Sequence, residues 1–150
     1  MPTNAARLTQ ASRPFWSVVI PTYEPNEEFL RQAINSVLAQ DPGPEKMEIR
    51  IVDDCSPLIN VREIVREIAG SRVVYCRTER NLGLAACWNY CVDKSDGEWI
   101  HILHQDDLVF PGFYSEIESL GRANPSAGSA FTRHSFADKD GHWHHISALE

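Results

Sequence analysis

The chain predicts an α/β fold, a mainly parallel sheet with helices on both faces, and three observations carry that prediction. Short apolar runs alternate four times with stretches of helical period. The runs are continuously apolar, as strands covered on both faces must be. Acidic pairs stand where two of the runs stop, Asp53-Asp54 and Asp106-Asp107, and in parallel α/β sheets ligands bind beyond those strand ends.

The elements follow in order. Residues 1–14 carry mixed small and polar residues without a period and read as a flexible arm ahead of one domain over 15–150. Trp16 to Pro21 is β-branched and bounded by a proline, a first strand. From Glu27 to Gln40 the apolar residues Phe29, Leu30, Ala33, Ile34, Val37 and Leu38 form one helical stripe, with Asn26 placed as its N-cap. Asp41-Pro-Gly-Pro44 breaks that helix, and Met47 to Val52 is the second strand.

Val61 to Ala69 is a second helix, opened by Asn60 and Glu63 in capping-box positions. Arg72 to Cys76 is a third strand, and the Asn81-Leu-Gly83 turn leads into a helix over Leu84 to Val92. Glu98 to Leu103 is a fourth strand. Pro111 then opens a helix with Phe113, Ile117 and Leu120 facing inward. Residues 128–136 and 142–147 read as two further strands, joined by the turn signal Asp138-Lys-Asp-Gly141.

Bulk properties narrow the function. A net charge of -7 argues against nucleic acid, whose binding needs a basic face. A phosphate ligand would need a divalent metal to offset that acidity. The cysteines Cys55, Cys76, Cys87 and Cys91 show neither Cys-x-x-Cys nor zinc-finger spacing and read as free thiols of a reducing compartment. No apolar stretch approaches the ~20 residues of a membrane span, and the first residues lack a signal-peptide core. These features point to a cytoplasmic protein, with peripheral attachment at the inner face of a membrane left open.

The first strand-to-helix connection excludes two classes. Pro21-Thr-Tyr-Glu-Pro25 has no glycine, so neither a dinucleotide fingerprint nor a Walker loop is present. As turn elements, Asp53-Asp54 would cap the segment entering Ser56-Pro57, and Asp106-Asp107 the helix near Pro111. As site elements, the first pair would accept from base N–H groups and ribose hydroxyls. The second would hold Mg2+ or Mn2+ against a diphosphate. His134, His142, His144 and His145 read as exposed polar positions of a hairpin.

Five stretches together resemble the family 2 glycosyltransferases: Val18-Val-Ile-Pro-Thr-Tyr23, Ala33-Ile-Asn-Ser-Val-Leu-Ala-Gln40, Ile51-Val-Asp-Asp-Cys-Ser56, Arg80-Asn-Leu-Gly-Leu-Ala-Ala86, and Leu103-His-Gln-Asp-Asp-Leu108 followed by Pro111-Gly112. They keep the family's order and spacing over roughly residues 16–145. The resemblance implies a GT-A (Rossmann-like) fold, here without its C-terminal side. It also implies a nucleotide-sugar donor, with UDP as the default nucleotide, bound across the strand ends. By match, Pro21, Tyr23 and Glu24 line the base and ribose pocket, and Asp53 and Asp54 bind the nucleoside. Asn81 and Gly83 shape the wall near the donor, with Arg80 a further contact. Asp107 takes the metal, Mn2+ or Mg2+, and Asp106 the ribose or the metal shell.

The resemblance further implies transfer with inversion to an acceptor hydroxyl on a glycan, a lipid or another molecule. The general base belongs to the acceptor half, and no residue after Asp107 matches its motif, so it is expected downstream of Glu150. Two departures stand out. His104 occupies the place of a first acidic residue, which bears on the choice of metal. Cys55 replaces a glycine, which predicts a slightly altered loop in which φ stays negative. Two other readings remain: a non-catalytic nucleotide-sugar-binding module or inactive fragment, and a nucleotidyltransferase. The latter wants a glycine-rich, basic first loop that Pro21-Thr-Tyr-Glu24 does not supply.

Overall fold

The computed structural model describes residues 13–138 and 141–148. Of the predicted arm, residues 1–12 lie outside the described residues, as do Lys139 and Asp140 of the predicted turn. The chain forms two compact units, one ending at Phe113 and one beginning at Tyr114.

The first unit holds β1 (Trp16–Thr22), α1 (Glu27–Leu38), β2 (Met47–Asp53), α2 (Val61–Ala69), β3 (Val74–Arg77), α3 (Leu84–Asp93) and β4 (Trp99–Ile102). The strands form one parallel sheet in the order β3-β2-β1-β4. The chain moves outward from β1 through β2 to β3, then returns to add β4 on the other side of β1. Right-handed crossovers therefore put α3 on the face opposite α1 and α2. The packing agrees, since α1 packs on α2 while α3 packs on β1 and β4.

Side-chain alternation divides the sheet core in two. Val19 and Val52 share a cluster with Cys87 and Cys91 of α3, so the odd-facing residues of β1 look toward that helix. Val18 and Ile20 pair in register with Ile49 and Ile51 and point to the other face. All four are buried, as are Leu30, Ala33, Ile34 and Val37 of α1 and Val61, Ile64 and Val65 of α2. Burying each such aliphatic side chain contributes roughly 1.5–3 kcal/mol.

The predicted caps are present. Asn26 Oδ1 accepts from the Glu28 and Phe29 amides at 3.0 and 3.2 Å, and Asn60 Oδ1 accepts from Glu63 N–H at 3.3 Å. β3 starts two residues later than the sequence predicts, at Val74, because it pairs only with Arg50 to Asp53 of β2.

The second unit differs more. Its helix, α4, spans Phe113–Ala123, and Pro111 does not open it. Pro111 and Gly112 instead occupy a turn closed by Phe113 N–H on the Phe110 carbonyl at 3.1 Å. Gly112 has φ +91°, the position a type II turn reserves for glycine after proline. The helix therefore begins past the turn, and its buried residues are Tyr114, Ile117 and Gly121. Leu120, predicted inward, is 55% exposed. β5 (Ser135–Ala137) and β6 (Trp143–Ile146) form an antiparallel pair with a register shift at Phe136/Ala137. The predicted strand over 128–136 is thus reduced to its last residues. His142, His144 and His145 are exposed, and His142 donates its backbone N–H to Asp138 Oδ1 at 3.0 Å.

Candidate functional site

A cleft of about 340 Å3 opens at the carboxyl ends of the first unit's strands, lined from four segments. Pro21, Thr22 and Tyr23 come from the end of β1, and Asp54 from beyond β2. Asn81, Gly83, Leu84, Cys87 and Trp88 belong to α3 and the turn before it, and His104, Gln105 and Asp106 follow β4. The cleft lies where strand order reverses, between β1 and β4.

The two members of the first acidic pair have separate tasks. Asp54 lines the cleft and holds its far wall. One carboxylate oxygen accepts from Leu82 N–H at 2.8 Å and lies 3.1 Å from Thr78 Oγ1, and the other accepts from Gly83 N–H at 3.0 Å. The Asn81 side-chain amide donates to its carbonyl at 3.2 Å. Gly83 sits at φ +81°, a conformation that aims its N–H at Asp54 and that side-chain-bearing residues resist.

Asp53, expected beside Asp54 at the nucleoside, does not line the cleft. Its side chain is fully buried, accepting from Ser56 N–H at 2.9 Å, Tyr75 Oη at 2.6 Å and Arg77 Nη1 at 2.7 Å. Burial and then that bond raise the Tyr75 hydroxyl above its usual range. Strand alternation is the reason for the difference, because neighbouring residues leave a sheet on opposite sides.

Glu24 and Arg80 also stand outside the lining. Glu24 has φ +45°, and its Oε1 accepts from Leu58 N–H at 2.9 Å, tying the first connection to the loop after β2. Ser56 Oγ accepts from Glu24 N–H at 3.0 Å. Arg80 contributes its carbonyl, which accepts from Thr78 Oγ1 at 2.8 Å. Cys55 overturns the expected negative φ, lying at +65°. The bonds of Asp53 and Arg77 to Ser56 on either side hold the loop in the shape a glycine would favour.

Beside the cleft, His104, Asp106 and Asp107 bring one ligand atom each within 4.8 Å of one another. An imidazole with two hard carboxylate oxygens is a donor set that suits a divalent transition ion, so these residues fit the metal expected from sequence. No described lining residue is a lysine or arginine.

This geometry has counterparts among known proteins. The profile described as Glycosyl transferase family 2 matches residues 17–149. The chain belongs to glycosyl transferase family 2. Within the family it is 32% identical over 104 residues to an uncharacterised glycosyltransferase of Methanocaldococcus jannaschii, covering 68% of this chain and 35% of that one. It is also 32% identical over 106 residues to the minor teichoic acid biosynthesis protein GgaB of Bacillus subtilis, covering 68% of this chain and 11% of that one.

Among solved structures, residues 1–349 of TarS from S. aureus in complex with UDP superpose with a TM-score of 0.64 at 22% identity, over 73% of this chain and 32% of that one. The mannosyltransferase PcManGT from Pyrobaculum calidifontis, in complex with GDP-Man and Mn2+, gives 0.62 at 22% identity, over 77% and 34%. The fold is the GT-A fold expected from sequence. The chain spans about a third or less of the length of each of these proteins.

Several lining residues of this family 2 chain escaped the sequence reading. Gln105 bonds to the backbone of Tyr23 in both directions, although the two residues are 82 positions apart in the chain. Trp88, on α3, brings its ring beside that of His104, with centroids 5.3 Å apart. Cys87 is at the cleft floor and Cys91 one turn on. A thiol–thiol hydrogen bond lowers the pKa of Cys87, and the same bond, followed by burial, raises that of Cys91. The spacing of four on a helix was the available signal for that pair.

Proposed function

We propose that this chain binds the donor of an inverting, metal-assisted glycosyltransferase, taking a nucleotide sugar, with UDP as its nucleotide, across the sheet's switch point. The observation that carries the reading is the shared cleft, where Pro21, Tyr23, Asp54, Asn81, Gly83 and Asp106 meet from four segments. Tyr23 is half-exposed at 48% and offers its ring to a base. Asp54 stands behind the base and ribose as an acceptor. Its pinned loop presents Asn81 and Gly83 to the rest of the donor.

Asp107 and Asp106 would hold Mn2+ or Mg2+, which when bound supplies charge stabilisation to the leaving diphosphate. The complexes of TarS with UDP and of PcManGT with GDP-Man and Mn2+ support this ligand class on the same fold. Asp53, Glu24 and Arg80 serve the site indirectly, by shaping the loops around it. The acceptor is a hydroxyl-bearing glycan, lipid or other molecule. Its base is expected in the acceptor half of the enzyme. No helix among the described residues is long and apolar enough to cross a membrane.

Calorimetric titration with UDP, GDP and dTDP, with and without MnCl2, tests the reading. UDP binding that strengthens with Mn2+, and loses that gain in Asp107→Ala, is the expected result. Undiminished metal-dependent binding in the variant would refute the metal assignment. No binding of any of the three nucleotides would refute the donor site.

A further inference from the structure

We propose that Asp138, His142 and His144 form a metal site of their own, on the β5–β6 hairpin, for Zn2+. The site shares no residue with the donor cleft, so it does not rest on the donor reading above.

Asp138 is fixed by the backbone of the turn that it opens. Its N–H donates to the His142 carbonyl at 3.0 Å, and its own carbonyl accepts from Gly141 N–H at 3.0 Å. Gly141 has φ +81°, the left-handed conformation that lets the chain reverse there. Within the carboxylate, Oδ1 is committed to the turn, accepting from His142 N–H at 3.0 Å. Two imidazoles converge on the other oxygen. His142 Nδ1 lies 3.1 Å from Oδ2, and His144 Nε2 lies 3.9 Å from it.

Sequence spacing produces that convergence. His142 and His144 are two apart in extended chain, so they leave one side while Trp143 leaves the other. His144 belongs to β6 and Asp138 directly follows β5, so strand pairing brings the carboxylate across to both rings. An ion pair accounts for one imidazole on an aspartate. It does not account for the second, which at 3.9 Å is too far for a hydrogen bond. Ligand atoms about 2.1 Å from a tetrahedral ion stand roughly 3.4 Å apart, and the two observed separations bracket that spacing. Both rings are mostly exposed. Rotation about their side-chain bonds closes the third side of the triangle, between the two nitrogens.

Two imidazole nitrogens and one carboxylate oxygen are a zinc donor set, with water as the fourth ligand. Mg2+ and Ca2+ prefer oxygen throughout. The hairpin also has a use for an ion. β6 is exposed along its whole length, as are the large side chains of Phe136 and Trp143. A two-stranded pair with so little buried surface is marginal in water. An ion bridging the turn to β6 supplies the cohesion that packing does not.

The test is calorimetric titration of the whole chain with ZnCl2, without nucleotide, on wild type, Asp107→Ala, His142→Ala and His144→Ala. Asp107→Ala removes a carboxylate beside the donor cleft, which separates the two places. Wild type and Asp107→Ala should share one Zn2+ site of equal affinity. His142→Ala and His144→Ala should each weaken it by at least about tenfold. His144→Ala spares the bonds between Asp138 and His142 that close the turn, so its loss reports a ligand and not a disrupted hairpin. Hydrogen exchange of the β5 and β6 amides should slow when ZnCl2 is added to wild type and stay unchanged in His144→Ala. Binding that survives both histidine changes, or that disappears in Asp107→Ala, would overturn the site, as would wild type that binds no Zn2+. None of these outcomes bears on nucleotide binding, so the donor reading stands or falls separately.

Discussion

Gln105 and Tyr23 clasp each other across the point where the sheet reverses its strand order. The Tyr23 amide donates to Gln105 Oε1 at 2.9 Å, and Gln105 Nε2 donates back to the Tyr23 carbonyl at 3.4 Å. The side chain after β4 thereby stands in for a sheet hydrogen bond beyond the last paired residues of β1 and β4. Without it, the segment carrying Tyr23 and the segment carrying Asp106 have one fewer link at the cleft mouth. Gln105→Ala should lower stability by only about 0.5–1.5 kcal/mol, because the groups are partly exposed. It should weaken UDP binding severalfold, since Tyr23 loses its fixed position. Denaturant unfolding and calorimetry check the two effects, and an unchanged affinity would show that the clasp does not order the site.

Asp53 and Asp54 are adjacent in sequence and should fail differently. Asp54→Ala strands the amides of Leu82 and Gly83 in a mostly buried place, at a cost of about 2–4 kcal/mol. It should also abolish measurable nucleotide binding in whatever protein remains folded. Asp53→Asn keeps the size of the side chain but gives one acceptor where Tyr75 and Arg77 need a carboxylate. Its melting temperature should fall while the affinity of the folded fraction stays within about twofold. Equal loss of affinity in both variants would place Asp53 at the ligand after all.

Cys55→Gly should stabilise the protein by about 0.5–1 kcal/mol. A residue with a Cβ at φ +65° bears a left-handed penalty of roughly 1–2 kcal/mol. The greater freedom of glycine in the unfolded chain returns part of the gain. Urea unfolding of the two proteins reads the difference directly, and a destabilised variant would mean the thiol contacts outweigh the backbone.

The pH dependence of stability should carry the mark of His101. Burial pushes its pKa down from 6.5 to about 4, with its ring against Phe113 at 4.9 Å. Between these values the unfolded chain takes up a proton that the folded chain refuses. Stability is therefore retained above about pH 6.5 and declines as pH falls toward 4, by on the order of 3 kcal/mol. Asp41 and Glu48, held below their usual range, add losses at lower pH. His101→Leu should remove the upper part of this decline. Unfolding free energies of both proteins measured from pH 4 to 7 decide it, and parallel curves would show that His101 titrates normally.

The elements of the first unit were legible because their signals are local. The stripe from Phe29 to Leu38 buries Leu30, Ala33, Ile34 and Val37, as a 3.6-residue period requires. Asn26 and Asn60 cap because a short side-chain acceptor reaches the next free amides. The second unit was less legible for a matching reason. Pro111 carries a helix-start signal and a turn signal at once, and Gly112, one residue on, decides for the turn. The buried stripe of Tyr114, Ile117 and Gly121 lies one residue round from the predicted face of Phe113, Ile117 and Leu120, and Leu120 is left exposed.

By itself, the sequence determined the alternation of strand and helix, the family, and the acidic strand ends at which a donor site would stand. Those follow from residue type, spacing and chain order, which no partner is needed to define. Only the tertiary structure decided which carboxylate of Asp53-Asp54 reaches the cleft, that Glu24 braces a loop, that Cys55 takes a glycine's conformation, and that Trp88 stands against His104. Each of these depends on strand register and on segments tens of residues apart. A side chain's role at a sheet edge is set by what the neighbouring strand brings beside it, and that neighbour is chosen by the packing of the whole core.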